Sequence, residues 1–256
     1  MSQHQQNIFD ELRQYASLTV VPGVTIGSLN YVSHSDMYSS GLITTADELV
    51  ASDAKVSLFD KAIGEIGSGW TTATTESQGN FKFTGGKIGA NQCYVATHAG
   101  FTISQVSAST PTTALIHNLF SHPDAVWAIA NNFSWDLQQG RGIKRNIGPL
   151  LQWPAGSGIY GITGDSNASR DTDVPVSAGI LPNYGAQNGA PDCGMRRLAE
   201  PIVFAPLVNT SIVVQCGNQF KLSSIDTTAK DYFIQITMVL KGFLFTMPVG
   251  NIGARR

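Results

Sequence analysis

Along most of the chain, apolar and polar residues alternate over short runs, and glycine, proline, asparagine or aspartate closes each run. That pattern predicts strands in "SLTVV" (17–21), "VTIGSLNYV" (24–32), "KVSLFD" (55–60) and "NFKFTGG" (80–86). It predicts two strands joined at Ala99–Gly100 within residues 91–108, and β-rich stretches over 125–138 and 141–153. Four more runs close the chain: "PIVFAPLV", "SIVVQC", "NQFKLSSI" and the long "YFIQITMVLKGFLF". Helical spacing is confined to three segments. Residues 7–15 place Ile8, Phe9 and Leu12 on one face, behind Asn7 or Ser2 as cap. A helix this short is marginal alone and needs a surface to dock on, which predicts an N-terminal arm over residues 1–17. Residues 44–53 carry a capping-box spelling, Thr45 with Glu48. Residues 109–120 offer Ser109 or Thr110 as cap, Pro111 in the first turn, and Leu115, Ile116 and Leu119 on a face.

One stretch breaks the pattern. Residues 154–198 hold eight glycines and four prolines and little periodicity. A segment this long without regular structure is seldom idle in a compact domain, and its readings are a surface excursion, a subunit-contact arm or a lid. The fold class expected from this pattern is all-β, with short inserted helices and the helical arm.

Composition narrows the surface. Hydrophobic residues make up 42% of the chain and charged residues only 13%, about half the usual globular share. Ser, Thr, Asn and Gln must then supply the polar surface, which suits a chain that covers itself with copies of itself. The net charge of −2 gives no electrostatic reason to wrap nucleic acid, and no specific nucleic-acid recognition is expected. The basic clusters at Arg141, Lys144 and Arg145, at Arg196 and Arg197, and at Arg255 and Arg256 are short and read as solvated surface. The first residues, "MSQHQQNIFD", are polar and lack the apolar core of a secretory signal, so synthesis in the cytoplasm is expected.

Candidate chemistry changes this picture little. "PAGSGIYG" spells G-x-G-x-x-G at Gly156, Gly158 and Gly161. A dinucleotide turn needs a strand before the glycines and a helix after them. Here Pro154 intervenes and a run of turn formers follows, so no cofactor is assigned. The five histidines show neither H-x-H nor H-x-x-x-H spacing. "GDSNASRDTD" (164–173) is dense in oxygen ligands but lacks the glycine and glutamate of a calcium loop, and reads as solvated. The three cysteines, Cys93, Cys193 and Cys216, form no C-x-x-C pair and imply no disulfide framework. There is no G-x-S-x-G elbow. No catalytic or metal-binding residue is assigned, and an enzyme is not expected.

With low charge, short strands, "RGIKRNIGPLLQWPAGSG" and a final strand ending "KGFLF", the chain resembles viral coat proteins of the jelly-roll kind. More narrowly it resembles the double-jelly-roll major capsid proteins of small icosahedral phages with an internal membrane. The resemblance implies an antiparallel jelly-roll sandwich, two of them side by side, with residues 1–17 as the arm, 18–139 as a first sandwich and 140–256 as a second that includes the excursion 154–198. It implies a homotrimer of hexagonal outline that tiles a virion shell. It also implies contacts with other virion proteins and an arm facing an internal membrane. Only five or six strands can be named after Arg141. The second sandwich is therefore incomplete, or draws strands from 154–198, or there is a single elaborated jelly roll. Candidate subunit contacts are Ile8, Phe9 and Leu12 on the arm, and Trp153, Ile159, Tyr160, Leu181 and Tyr184 on or beside the excursion. An exposed aromatic in a glycine-rich loop suits docking into a neighbour. The alternative is that these aromatics fold back on their own sandwich. A lectin-like or fibre-tip binding module is the second functional reading.

Overall fold

Alternating runs become strands where neighbours are available to pair with them. In the computed structural model, which describes residues 31–45, 49–76, 78–82, 84–90, 92–107, 116–118, 123–140, 143–153, 195–221 and 233–246, almost all regular structure is antiparallel β. The strands are β1 (Tyr31–Thr44), β2 (Leu49–Val50), β3 (Lys55–Leu58), β4 (Gln92–Ser107), β5 (Ile116–Asn118), β6 (Phe133–Gln139), β7 (Ile143–Pro149), β8 (Arg196–Phe204), β9 (Thr210–Cys216), β10 (Phe220–Lys221) and β11 (Phe233–Thr246). Among the described residues one α-helix, α1 (Pro123–Asn132), precedes β6.

Two sheets carry the fold. The first runs β1-β11-β4, and the far side of β4 pairs with β8 along one part and β5 along another. The second runs β3-β9-β6-β7. β2 and β10 form a small separate pair. Setting the short β2, β5 and β10 aside, the pairing is nested. The first strand pairs with the last (β1 with β11), the second with the second-last (β3 with β9), the third with β8, and the innermost two, β6 and β7, with each other.

This nesting corrects the expected division at 139/140. That boundary falls in the turn of the β6–β7 hairpin, where Gln139 faces Ile143. Each sheet takes strands from both halves of the chain, so the described residues build one sandwich around one main core. Met37, Ile43, Tyr94, Phe101, Ile234, Ile236, Met238 and Leu240 enter that core from the first sheet. Val56, Leu58, Phe133, Trp135, Leu137, Ile212 and Val214 enter it from the second. Edge-to-face ring contacts link Phe59, Phe81, Phe204 and Tyr94. The Tyr94 hydroxyl donates to the Leu240 carbonyl at 2.9 Å, so a polar group at the centre of the core is satisfied.

Several local expectations give way to these long-range pairings. Residues 91–108 are not two strands. β4 runs unbroken past Ala99–Gly100, and the irregularity is a bulge at Thr97, which both neighbouring strands skip. The extra residue lets Ala96 and Ala99 both face the core. The helix expected over 44–53 is absent from its described part: Thr44 ends β1, and Leu49–Val50 pairs with β10. Within 109–120, Ile116–Asn118 pairs with β4 as a strand. Conversely, the first part of 125–138 is helical. Pro123 occupies a first-turn position and Ala125, Ala128 and Ala130 favour the helix. Ile129 and Ala130 anchor it in the core. "NFKFTGG" gives a tight turn instead of a strand, with Gly85 and Gly86 at φ of 66° and 68°. The arm 1–17 and most of the excursion lie outside the described residues.

The outer edge of β1 is covered by the long β3–β4 connection. Leu42 N–H donates to the Ser68 carbonyl at 3.0 Å, and Asn80 N–H to the Tyr38 carbonyl at 3.0 Å. Tyr38 N–H donates to Asn80 Oδ1, Trp70 Nε1 to the Ser40 carbonyl, and the Ser40 hydroxyl to the Gln78 carbonyl. Gly69 makes the closest approach: at φ +77°, a Cβ there would lie 2.0 Å from the Leu42 carbonyl oxygen. Inside the sheet the equivalent contact is at Gly242, opposite the β4 bulge, where a Cβ would lie 2.1 Å from the Val95 carbonyl oxygen.

Replacing Gly242 by alanine forces β11 away from β4, and we expect a loss of about 2–3 kcal/mol in urea unfolding. Gly217→Ala, where a Cβ meets nothing closer than 3.6 Å, should stay within about 0.5 kcal/mol of wild type. Equal stability of the two variants would contradict this packing.

Candidate functional site

Three connections meet at one end of the sandwich: β3–β4, β6–β7 and β8–β9. Ile88 bridges to Pro206 and Lys87 to Asn209. Leu207 N–H donates to the Ile88 carbonyl at 3.0 Å, Val208 N–H to the Ala205 carbonyl at 3.2 Å, and Gly140 N–H to the Asn209 carbonyl at 2.8 Å. The segment 205–209 is therefore fastened by backbone hydrogen bonds both within itself and to two other connections. The reading of "PIVFAPLV" as one strand through Val208 stops at Phe204, because Pro206 and the next residue turn the chain. Leu207 takes φ 59°, in the left-handed region that bulky side chains avoid. Leu207 is 63% exposed and Val208 37%.

Of the expected contact residues, Trp153 lies within the described residues, and it is not a surface anchor. It is 5% exposed. Its ring meets Trp135 edge-on at 5.2 Å and lies under the Arg196 guanidinium at 4.8 Å. Its carbonyl accepts from Phe101 N–H at 2.8 Å. A short 3-10 turn over Leu150–Gln152 brings the chain inward after β7, so for this aromatic the fold-back alternative holds. Ile8, Phe9, Leu12, Ile159, Tyr160, Leu181 and Tyr184 lie outside the described residues, as do Gly156–Gly161 and residues 164–173.

A cleft beside the β3–β4 connection is lined by Ser39, Ser57, Asp60, Lys61 and Gln78 and has a volume of about 10 Å³, room for about one water. Burial pushes the Asp60 carboxyl above its ordinary value. Cys93 and Cys216 are buried free thiols. Burial raises Cys93 from 9.0 to about 12 and also raises Cys216. Both are thus held as thiols, unlike a nucleophilic cysteine, whose thiolate is favoured. No group of three or more His, Cys, Asp or Glu among the described residues could hold a metal ion. On the surface, Arg145 pairs with Glu200 between β7 and β8; both side chains are well exposed, so the pair adds little stability.

The turn 205–209 thus presents exposed Leu207 and Val208 on a backbone held by hydrogen bonds. The composition pointed toward surface contacts in general. No periodic signal marked Leu207, because "PLV" reads equally well as the end of a strand. Comparison with family models, curated proteins and solved structures finds no match to this chain.

In a Cys193→Ser variant, Cys93 and Cys216 should react with a thiol reagent at pH 8 only after denaturant is added. The Cys93 thiol has its folded pKa raised above the unfolded one, so its contribution to stability is complete below pH 9.0 and is lost as pH rises toward 12. Removing it with Cys93→Ala should flatten that alkaline loss. Rapid labelling of both thiols in the native protein would contradict their burial.

Proposed function

We propose that this chain is a structural protein, a single jelly-roll subunit that assembles with copies of itself into an icosahedral virus shell. The observation that carries the reading is the nested strand order, β1-β11-β4-β8 in one sheet and β3-β9-β6-β7 in the other. An antiparallel ribbon rolled up so that first meets last and second meets second-last is the double Greek key of jelly rolls, an architecture used by capsid and lectin domains. Fold alone does not fix function, so the surface must decide. A chain with 13% charged residues brings little like-charge repulsion to packed copies, and the exposed apolar side chains at the loop end suit contact between subunits.

The hexagonal trimer implied by the resemblance needs two sandwiches per chain. With one sandwich in the described residues, the reading is of a shell tiled by single rolls. Other virion proteins and an internal membrane remain proposed neighbours of the arm 1–17. Under this reading the chemistry is that of repeated contacts: apolar area is removed from water at each subunit boundary, and closed symmetry fixes the size of the shell.

Purified full-length protein should form closed particles of uniform size by electron microscopy, in equilibrium with small oligomers by size-exclusion chromatography. A chain that remains monomeric at every concentration overturns the shell reading, and calcium-dependent glycan binding by that monomer would favour the lectin-like module instead.

A further inference from the structure

We infer that the outward face of the first sheet is covered by residues 17–30 of the same chain, laid over it as a third layer whether or not the subunit assembles. The pairing defines that face. Tyr94, Ala96 and Leu240 enter the main core, so Cys93, Val95, Phe243 and Phe245 point the other way. They stand side by side there: Phe245 opposite Cys93, Phe243 opposite Val95, and Val95 opposite Val203 of β8. Together they form a second apolar cluster, separate from the main core. An outward face is open to water unless something lies on it, yet Cys93, Val95, Val203 and Phe245 are each no more than 6% exposed. That burial is reached within a single chain, so the cover belongs to the chain.

The other end of the same face shows what a cover looks like. Leu42 of β1 and Phe233 of β11 also point outward, and Trp70 of the β3–β4 connection packs on them. Around Cys93 and Val95 no hydrophobic residue of a connection plays that part among the described residues. The partly buried hydrophobic residue packed against the cluster is Phe243, from the sheet itself.

The point where each remaining segment rejoins the sheet decides between them. Residues 17–30 lead into Tyr31, and Val32 is opposite Phe245, which is opposite Cys93. The segment therefore ends on the row that carries the cluster. From β1 to β8 is three strand spacings, about 14 Å, and a segment of this length spans up to about 45 Å. Pro22, Gly23 and Gly27 supply positions at which the chain can reverse. Leu18, Val20, Val21, Val24, Ile26 and Leu29 supply apolar side chains, and Val24 and Ile26 have the spacing of two that puts both on one side of an extended chain. The alternatives fit less well. Both ends of 154–194 are anchored on the far side of the β4 bulge, where the Trp153 carbonyl accepts from Phe101 N–H and Arg196 is opposite Ala99. Residues 247–256 begin beside the cluster but end in Arg255 and Arg256 and are interrupted by Pro248, Gly250 and Gly253; a charge is costly to lay on an apolar seat.

Cys93 lies in the cluster and reports on its cover. The test uses the full chain carrying Cys193→Ser and Cys216→Ser, which leaves Cys93 as its thiol. Val24→Asp with Ile26→Asp sets two carboxylates against the apolar seat, and labelling of Cys93 by a thiol reagent at pH 8 should quicken by about tenfold or more with β circular dichroism retained. Val249→Asp with Ile252→Asp, and Ile159→Asp with Leu181→Asp, should leave the rate unchanged. Quickening by either of these pairs but not by the first, or by none of the three, overturns the third layer. If the first pair does not fold, cross-linking decides. Val20→Cys, Val24→Cys, Ile26→Cys and Leu29→Cys are introduced one at a time and oxidised, and at least one should join Cys93 within a single chain, read as a monomer-mass product on a non-reducing gel and located by mass spectrometry. Disulfides to Cys93 in none of the four, or only between two chains, overturn it. Neither measurement depends on particle formation, so failure here leaves the shell reading standing.

Discussion

The strand β11 is the constraint on which the rest of the sandwich depends. It lies between β1 and β4 and is paired along its whole length with both. One of its faces supplies Ile234, Ile236, Met238 and Leu240 to the main core. Its partner β1 is near the other end of the described chain, with Tyr31 opposite Thr246. The first sheet therefore cannot close until the last strand has arrived. Closing so long a loop costs only slightly more entropy than closing one of half the length. The cost is kinetic, because a fold dominated by distant pairings forms slowly. The nested order softens it: the β6–β7 hairpin has a short turn, and each pair outside it closes a larger loop around one already formed.

Length creates a second problem, which the bulge resolves. A sixteen-residue strand such as β4 must twist and bend to stay in register with neighbours on both sides. Thr97 is the added residue, and its hydroxyl donates to the Lys241 carbonyl at 3.3 Å. Beyond it the alternation resumes in phase, with alanines at 96 and 99 between the bulky Tyr94 and Phe101. Gly242 answers the bulge from β11, because the strands approach there more closely than any Cβ permits. Bulge and glycine are thus one device.

The fold class was legible because β structure leaves a period of two wherever one face is buried. β3, β9 and β11 stood out for that reason: Val56 and Leu58, Ile212 and Val214, and the alternating core residues of β11 all show it. What failed was local grammar read without its partners. Thr45 and Glu48 spell a helix start, yet Leu49–Val50 pairs with β10, a partner far along the chain. "AVWAIANN" resembled a strand because its alanines pass for either face, while the proline before it went unused. The candidate contact site was hardly legible at all. Trp153 was chosen for being aromatic beside a glycine-rich run, but a large ring is worth most in a core, and there it meets Trp135. Leu207 gave no signal, since what distinguishes it is a backbone angle that no pattern of letters records.

Under the self-assembly proposed above, a subunit must also avoid assembling wrongly, and the sheet edges bear on how it could. An open strand edge invites another strand, and sheets that grow this way do not close. On β1 the edge is taken up by hydrogen bonds from the β3–β4 connection. On β7 it is disrupted where Ile147 is skipped by the pairing with β6 and Gly148 takes φ 130°, and Pro149 has no N–H to offer. The strand β8 carries Pro201 together with Arg196, Arg197 and Glu200, and β3 is only four residues long with Lys55 exposed. Each edge is thus covered, kinked, charged or short. Among the described residues, the exposed large apolar residues sit instead on connections and a short peripheral strand: Leu49, Ile66, Leu207 and Val208. Under the proposed self-assembly, contacts made through such points would be fixed in direction by the loops that carry them, and a fixed direction repeated by rotation is what allows an assembly to close.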